Sequence, residues 1–288
     1  MKKFCIIYNE HKDKNMTVTR SIMDYIEAKG GASECFICNE VEWNEHTLAQ
    51  NAPNHVEADC IIVLGGDGTL VRAARDMAKS HIPLIGVNLG TLGYLCELER
   101  STVYKAIDQL FEDRYETENR MLISGQCMGH GYSENSTVAL NDIVIHRIGF
   151  CQVVNLVVRV NGEYLTTYCA DGLILSTPTG STGYSMSAGG PIVDPKAELI
   201  LITPINPHSL SSQSIVVGAD AQIEVMLSKR RPELDEEAEV SFDGDRFIRM
   251  KVGDRLTVKR ADETAQILKL NKLSFLQILR KKMQELGS

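Results

Sequence analysis

The chain has 288 residues, 43% of them hydrophobic and 24% charged, with a formal net charge of -8. These figures fit a soluble globular protein long enough for two domains. The acidic balance argues against a nucleic-acid backbone as the main partner, although a local basic pocket can still hold a small phosphorylated ligand. No apolar run reaches transmembrane length or forms a secretory leader, so the expectation is a cytoplasmic protein that binds neither membrane nor nucleic acid.

Taken in order, Phe4 to Tyr8 reads as a short buried strand, and Asn15 to Lys29 as a helix with Val18, Ile22, Tyr25 and Ile26 on one face, stopped by Gly30-Gly31. Glu34 to Cys38 predicts a second strand, Thr47 to Gln50 part of a short helix, and Pro53-Asn54-His55 a polar loop. A strand from Cys60, a helix from Leu70 to Lys79 and a strand over Pro83 to Asn88 follow. Ser101 is a candidate cap for a helix running to about Phe111, and Glu112-Asp113-Arg114 a hinge. Strands alternating with helices imply a doubly wound α/β domain over residues 1-115.

Beyond the hinge the pattern becomes β-rich. Met121 to Gln126, Val138 to His146, Gln152 to Val160, Tyr164 to Cys169, Leu173 to Ser176, Gln222 to Leu227, Glu239 to Phe242 and Arg255 to Lys259 are strand-like, and Asn161-Gly162 is a hairpin turn. The expectation is a mostly β, sandwich-like domain over 116-271. Leu273 to Leu286 predicts an amphipathic helix, and 272-288 is expected to pack back on the first domain. The eight cysteines are scattered through apolar runs and read as reduced core residues. Cys35-x-x-Cys38 lacks a second pair or a histidine at metal-site spacing.

Two loops carry the chemistry. In Asp59 to Leu70 an apolar run breaks into Gly65-Gly66-Asp67-Gly68-Thr69, where three glycines in four positions bare the backbone for close approach to a ligand. The following helix favours anions at its start. Asp67 would repel phosphate there unless a divalent metal bridges them or it accepts a proton from a hydroxyl attacking the phosphate, and both options mean phosphoryl transfer. No Walker A sequence and no helix-opening G-x-G-x-x-G occurs. Leu89 to Tyr94 adds two glycines and an aromatic ring at the same sheet edge, the ring either packing on the core or covering a ligand. The second loop, Ala170 to Gly190, is dense in hydroxyls and glycines that suit a nucleotide's sugar and phosphates. His146 and His208 read as structural, and Glu233 to Glu237 as a solvated acidic loop.

As a set, Gly65 to Thr69, Asn88 to Tyr94, Leu140-Asn141-Asp142, Asp171 to Tyr184, Pro207-His208-Ser209-Leu210 and Asp243-Gly244 resemble the motifs of the NAD kinase family in order and separation over nearly the whole chain. The first loop is shared with diacylglycerol, sphingoid and phosphofructo kinases, whereas the hydroxyl-rich motif is more specific. The resemblance implies an N-terminal α/β domain, a C-terminal β-sandwich, a crevice between them, and a homo-oligomer (dimer or tetramer). It also implies transfer of the terminal phosphate of ATP, with Mg2+ or another divalent cation, to the adenosine-ribose 2′-hydroxyl of NAD, giving NADP.

Carried over by position, Asp67 would be the general base, with Gly68 and Arg72 beside the ligand and Tyr94 near it. Asn141 and Asp142 would grip sugar hydroxyls and base. Cys169, Asp171, Thr177, Thr179, Thr182, Gly183, Tyr184, Ser185, Met186, Ser187, Asn206 and Asp245 would complete the substrate-binding set, with no metal site made by the protein. The chain departs from the family pattern at Asp142, where glutamate is commoner, and at Gly183, usually alanine. It departs again at Cys169, often arginine, at Gln213-Ser214, often Arg-Pro, and at Asp245, usually glutamine. Two other readings stay open: a kinase of a different hydroxylated small molecule, and a dinucleotide-binding sensor without catalysis.

Overall fold

The computed structural model describes residues 1–38, 56–90, 93–129, 136–149, 153–209, 213–230, 236–271 and 273–286. The helix expected at Thr47 to Gln50, the 53–55 loop, Thr91 and Leu92 of the second glycine turn, Leu210, and Glu233 to Asp235 lie outside the described residues. The chain forms two compact units, residues 1–120 with 264–288, and residues 121–263. It passes from one to the other inside strands, where the sequence reading drew its lines at 115/116 and 271/272.

The first unit contains β1 (Lys3–Tyr8), α1 (Thr17–Ala28), β2 (Ala32–Ile37), β3 (Cys60–Gly65), α2 (Asp67–Asp76), β4 (Leu84–Asn88), β5 (Leu98–Glu99) and α3 (Val103–Phe111). Its strands are parallel in the order β2-β1-β3-β4, with β5 beside β4. Every residue of β3 and β4 is buried, as continuous apolar runs covered on both faces require. Alternation divides the faces. Phe4, Ile6, Ile62, Leu64, Ile85 and Val87 share one core with Val18, Ile22 and Ile26 of α1 and Ala106, Ile107 and Leu110 of α3. Gly86, offset by one residue, looks the other way, where an added Cβ would meet Leu70 of α2 at 2.9 Å.

Helix starts differ from the sequence expectation. Asn15 and Met16 adopt left-handed φ of 61° and 56°, so α1 begins at Thr17 instead of Asn15. Buried Asp13 replaces a cap by accepting the N–H groups of Val18 and Thr19 at 2.9 and 2.8 Å. At α3 the residue before the helix is Thr102, not Ser101, and its hydroxyl closes a turn onto Glu99.

The strand β6 (Glu116–Met128) leads into the second unit. There follow β7 (Thr137–Ala139), β8 (Asp142–Arg147), β9 (Val154–Val160), β10 (Glu163–Ala170), β11 (Gly172–Ser176), α4 (Tyr184–Ser187), β12 (Leu199–Ile205), β13 (Ile215–Gly218), β14 (Ile223–Ser228), β15 (Glu237–Phe242), β16 (Arg246–Lys251) and β17 (Arg255–Lys269), then α5 (Phe275–Leu286) in the first unit. One antiparallel sheet has the order β13-β12-β11-β8-β15-β16, and β10-β9-β14-β17 forms a second layer. Leu156, Val158, Ile223, Val225 and Leu256 of that layer share a core with Ile143, Leu173, Leu175, Ile202, Val240 and Phe242 of the first. This is the expected sandwich-like arrangement. Asn161 and Gly162 both take positive φ, the geometry of a two-residue hairpin loop. Sequence reading missed β12, β13 and β16.

Candidate active site

In the first unit β3 runs out at Gly65 and α2 begins at Asp67, one residue after an extended Gly66. The Asp67 carboxylate is fully engaged by its own unit. Oδ2 accepts the N–H of Tyr94 at 2.5 Å, and Oδ1 accepts those of Leu95 and Cys96 at 3.2 and 3.0 Å. A Cβ on Gly93 would fall 2.0 Å from Oδ1, so this glycine serves close approach, not an unusual backbone angle. The Cys96 thiol is buried beside the same carboxylate. Burial first, then the charge of Asp67 and a hydrogen bond to it, push the thiol's ionisation far up. Nearby, Asn88 closes a turn, its Oδ1 accepting the Gly90 N–H at 3.0 Å and its Nδ2 donating to the Gly90 carbonyl at 2.9 Å.

Gly68 is exposed and open, while Arg72 lies half-buried on α2. Lys12, which sequence reasoning passed over, extends its Nζ to the first loop, where a Cβ on Gly66 would meet it at 2.6 Å. The only signal for it was a polar turn following a buried strand.

In the second unit the hydroxyl-rich loop leaves β11 through Thr177 to Thr182 and enters α4. Thr177 and Ser185, which the resemblance places in the substrate-binding set, are completely buried. The Thr177 hydroxyl donates to the Leu140 carbonyl at 2.5 Å and accepts the Gly180 N–H, while Ser185 bonds Thr203 at 3.2 Å. These side chains shape the loop because a buried hydroxyl must find its partner inside. Gly180 lets the loop press on Asn141, whose carbonyl oxygen would lie 2.1 Å from an added Cβ. Thr179 is buried as well, whereas Thr182, Gly183 and Met186 are half-buried and Tyr184 and Ser187 exposed.

Asn141 and Asp142 stand against this loop, with Asn141 Nδ2 and Asp142 Oδ2 at 3.9 and 4.0 Å from a Cβ placed on Gly183. Asn141 Oδ1 is buried with no hydrogen-bond partner among the described residues. Asp243, also missed from sequence as a contact, accepts the N–H groups of Leu140, Asn141 and Asp142 at 3.0, 2.7 and 3.3 Å. Burial raises the Asp142 carboxyl to about 7, and the charge of Asp243 adds to the effect. Asp245 is half-buried in the same turn, its N–H on the Phe242 carbonyl.

A third group gathers around Asp171. Asn206 donates to its Oδ2 at 3.0 Å and Arg147 to its Oδ1 at 2.7 Å, and these bonds, led by that of Asn206, hold the carboxyl below its usual range. Asn206 reaches it from a left-handed position with φ of 44°. Arg147 was invisible in the sequence, because β8 and β11 bring it to Asp171 only through antiparallel pairing. Cys169 is half-buried, and its carbonyl accepts the His208 N–H. His146 has Nδ1 within 2.9 Å of the Arg147 carbonyl, a local contact of the structural kind expected.

Among the described residues no disulfide joins the cysteines, no group of three His, Cys, Asp or Glu side chains is arranged to hold a metal ion, and no helix is long and apolar enough to cross a membrane.

Comparison with known proteins identifies both parts of the chain. Residues 4–115 match the model of the ATP-NAD kinase N-terminal domain, and residues 140–270 that of the ATP-NAD kinase C-terminal domain. A protein named NAD kinase from Agathobacter rectalis is 53% identical over 285 residues, spanning 98% of this chain and 99% of its own. One of the same name from Lachnoclostridium phytofermentans is 43% identical over 286 residues, with the same two coverages. Among solved structures, yeast NADH kinase complexed with NADH shares the fold with a TM-score of 0.86 at 22% identity, covering 100% of this chain and 89% of its own. An NAD kinase from Archaeoglobus fulgidus in complex with ATP gives 0.77 at 24% identity, covering 98% of each chain. The chain therefore belongs to the ATP-NAD kinase family.

Proposed function

We infer that the protein is an NAD kinase, moving the terminal phosphate of ATP to the 2′-hydroxyl of the adenosine ribose of NAD. The relatives' shared name and the match of both family domains support this activity. The observation that carries the catalytic assignment is the convergence of the Tyr94, Leu95 and Cys96 N–H groups on Asp67. Held this way, the carboxylate cannot swing aside. A carboxylate offers about four lone-pair positions, and the thiol of Cys96 is the weakest donor facing them. An incoming ribose hydroxyl displaces that thiol and delivers its proton to Asp67.

The oxygen of the 2′-hydroxyl forms a bond to the γ-phosphorus as the bond from that phosphorus to the bridging oxygen breaks. The electron pair leaves with ADP. Orientation supplies much of the acceleration in such a loose transition state. Asn141, whose buried Oδ1 has no hydrogen-bond partner among the described residues, suits a sugar hydroxyl. Asp142, Asp171, Thr182, Tyr184 and Ser187 are assigned to the same substrate, NAD.

A divalent cation, Mg2+ by preference, offsets the triphosphate's charge when bound. The donor set fits a cation carried in on phosphate oxygens and water, since no cage of three protein ligands is arranged among the described residues. We assign the protein to the cytoplasm and to a homo-oligomeric state on family resemblance.

The test is purified protein with NAD, ATP and Mg2+, scored for NADP by an NADP-specific dehydrogenase, beside Asp67→Asn. Wild-type turnover with a loss of at least about a hundredfold in the variant is expected. Saturable NAD binding without turnover would instead make the chain a sensor.

A further inference from the structure

The order β2-β1-β3-β4 has a direction change at its centre: β1 leads to β2 on one side, and β3 to β4 on the other. Open parallel sheets bind ligands at the carboxyl ends flanking such a switch. The loop after β3 there is Gly65-Gly66-Asp67. The loop after β1 is Asn9-Glu10-His11-Lys12-Asp13.

The backbone of Lys12 is fixed from both sides. Asn9 is buried and donates its N–H to the Leu64 carbonyl at 2.9 Å, tying this loop to β3. Its own carbonyl and side-chain oxygens accept the Lys12 N–H at 3.1 and 3.2 Å. On the other side Asp13, only 2% exposed, is bonded to Val18, Thr19 and the Thr19 hydroxyl. What remains free is the lysine side chain. Its Nζ lies 2.6 Å from where a Cβ on Gly66 would begin and 3.9 Å from one on Gly90. Gly66 has φ of -158°, extended backbone that any residue adopts, so its lack of a side chain provides room for the ammonium and a ligand. No carboxylate among the described residues forms an ion pair with Lys12, which is exposed.

We propose that Lys12 is a phosphate-contacting residue of the donor site, its ammonium set against the phosphate oxygens of ATP beside Asp67. This rests on the chain being an ATP-dependent NAD kinase. Lysine brings a compact charge with three rotatable donors, suited to a phosphate whose charge shifts during reaction. As the bond from the γ-phosphorus to the bridging oxygen breaks, negative charge gathers on the β-phosphate of the departing ADP. The ammonium offsets it.

Steady-state kinetics of the full chain with Lys12→Met and Lys12→Arg test the proposal. For Lys12→Met, kcat/KM for ATP is expected to fall about a hundredfold, the loss typical of one transition-state donor. KM for NAD and the melting temperature should match the wild type, and Lys12→Arg should recover most of the rate. Wild-type kcat/KM for ATP in Lys12→Met would overturn the proposal. So would a defect confined to NAD, which places the ammonium on the dinucleotide's phosphates, or equal losses toward both substrates with a lowered melting temperature. An active wild type separates these failures from failure of the kinase assignment, which a wild type making no NADP would signal.

Discussion

The N–H of Tyr94 donates to Asp67 Oδ2 at 2.5 Å, joining the second glycine turn to the first across 27 positions of sequence. The turn after β4 thereby sets the orientation of the carboxylate after β3. Three backbone N–H groups of that segment, those of Tyr94, Leu95 and Cys96, fix the position of the Asp67 carboxylate.

Gly93 is the sharpest example. Alanine there would place its Cβ 2.0 Å from Asp67 Oδ1. Because the backbone at Gly93 is ordinary, strain in φ plays no part. Gly93→Ala is expected to lower kcat by about a hundredfold or more, since misplacing a reacting group by about 1 Å costs that much. The far-ultraviolet circular dichroism spectrum should stay unchanged. A variant with wild-type kcat would mean that the carboxylate's position is not set by this turn.

Cys96 should separate a weak donor from a strong one. If the thiol yields to the substrate hydroxyl, Cys96→Ala keeps kcat within about threefold, because the three amides still hold Asp67. Cys96→Ser puts a stronger donor in the same place, and kcat should drop by about tenfold through competition. The two rates, measured at saturating ATP and NAD, check the order; alanine slower than serine would contradict it.

Asp142 makes stability depend on pH. Burial and Asp243 raise its carboxyl to about 7 in the folded protein, against about 4 in an unfolded chain. Between those values the unfolded chain releases a proton that the folded protein keeps. Stability therefore falls as pH rises through that window and levels off above about 7. Asp142→Asn removes this contribution, so its melting temperature should gain on the wild type as pH goes from 5 to 8. A constant difference across that range would show that Asp142 ionises at its ordinary value.

Much of the fold is legible in the sequence. The run Cys60 to Leu64 had to be a strand covered on both faces, because its residues are apolar without alternation. The glycines after it had to bare the backbone, and Asp67 was conspicuous because a carboxylate belongs poorly in an anion-friendly turn. Local chemistry of this kind is written in adjacent residues. The family motifs likewise lie in short contiguous stretches.

Tertiary structure alone decided which residues face each other. Thr177 and Ser185 stand in the sequence simply as hydroxyls of the second loop, and only the folded chain shows them buried, with bonds turned inward to Leu140 and Gly180 and to Thr203. Arg147 meets Asp171 through strand pairing, and Lys12 reaches Gly66 because β1 and β3, 56 residues apart at the paired positions Tyr8 and Leu64, adjoin in the sheet.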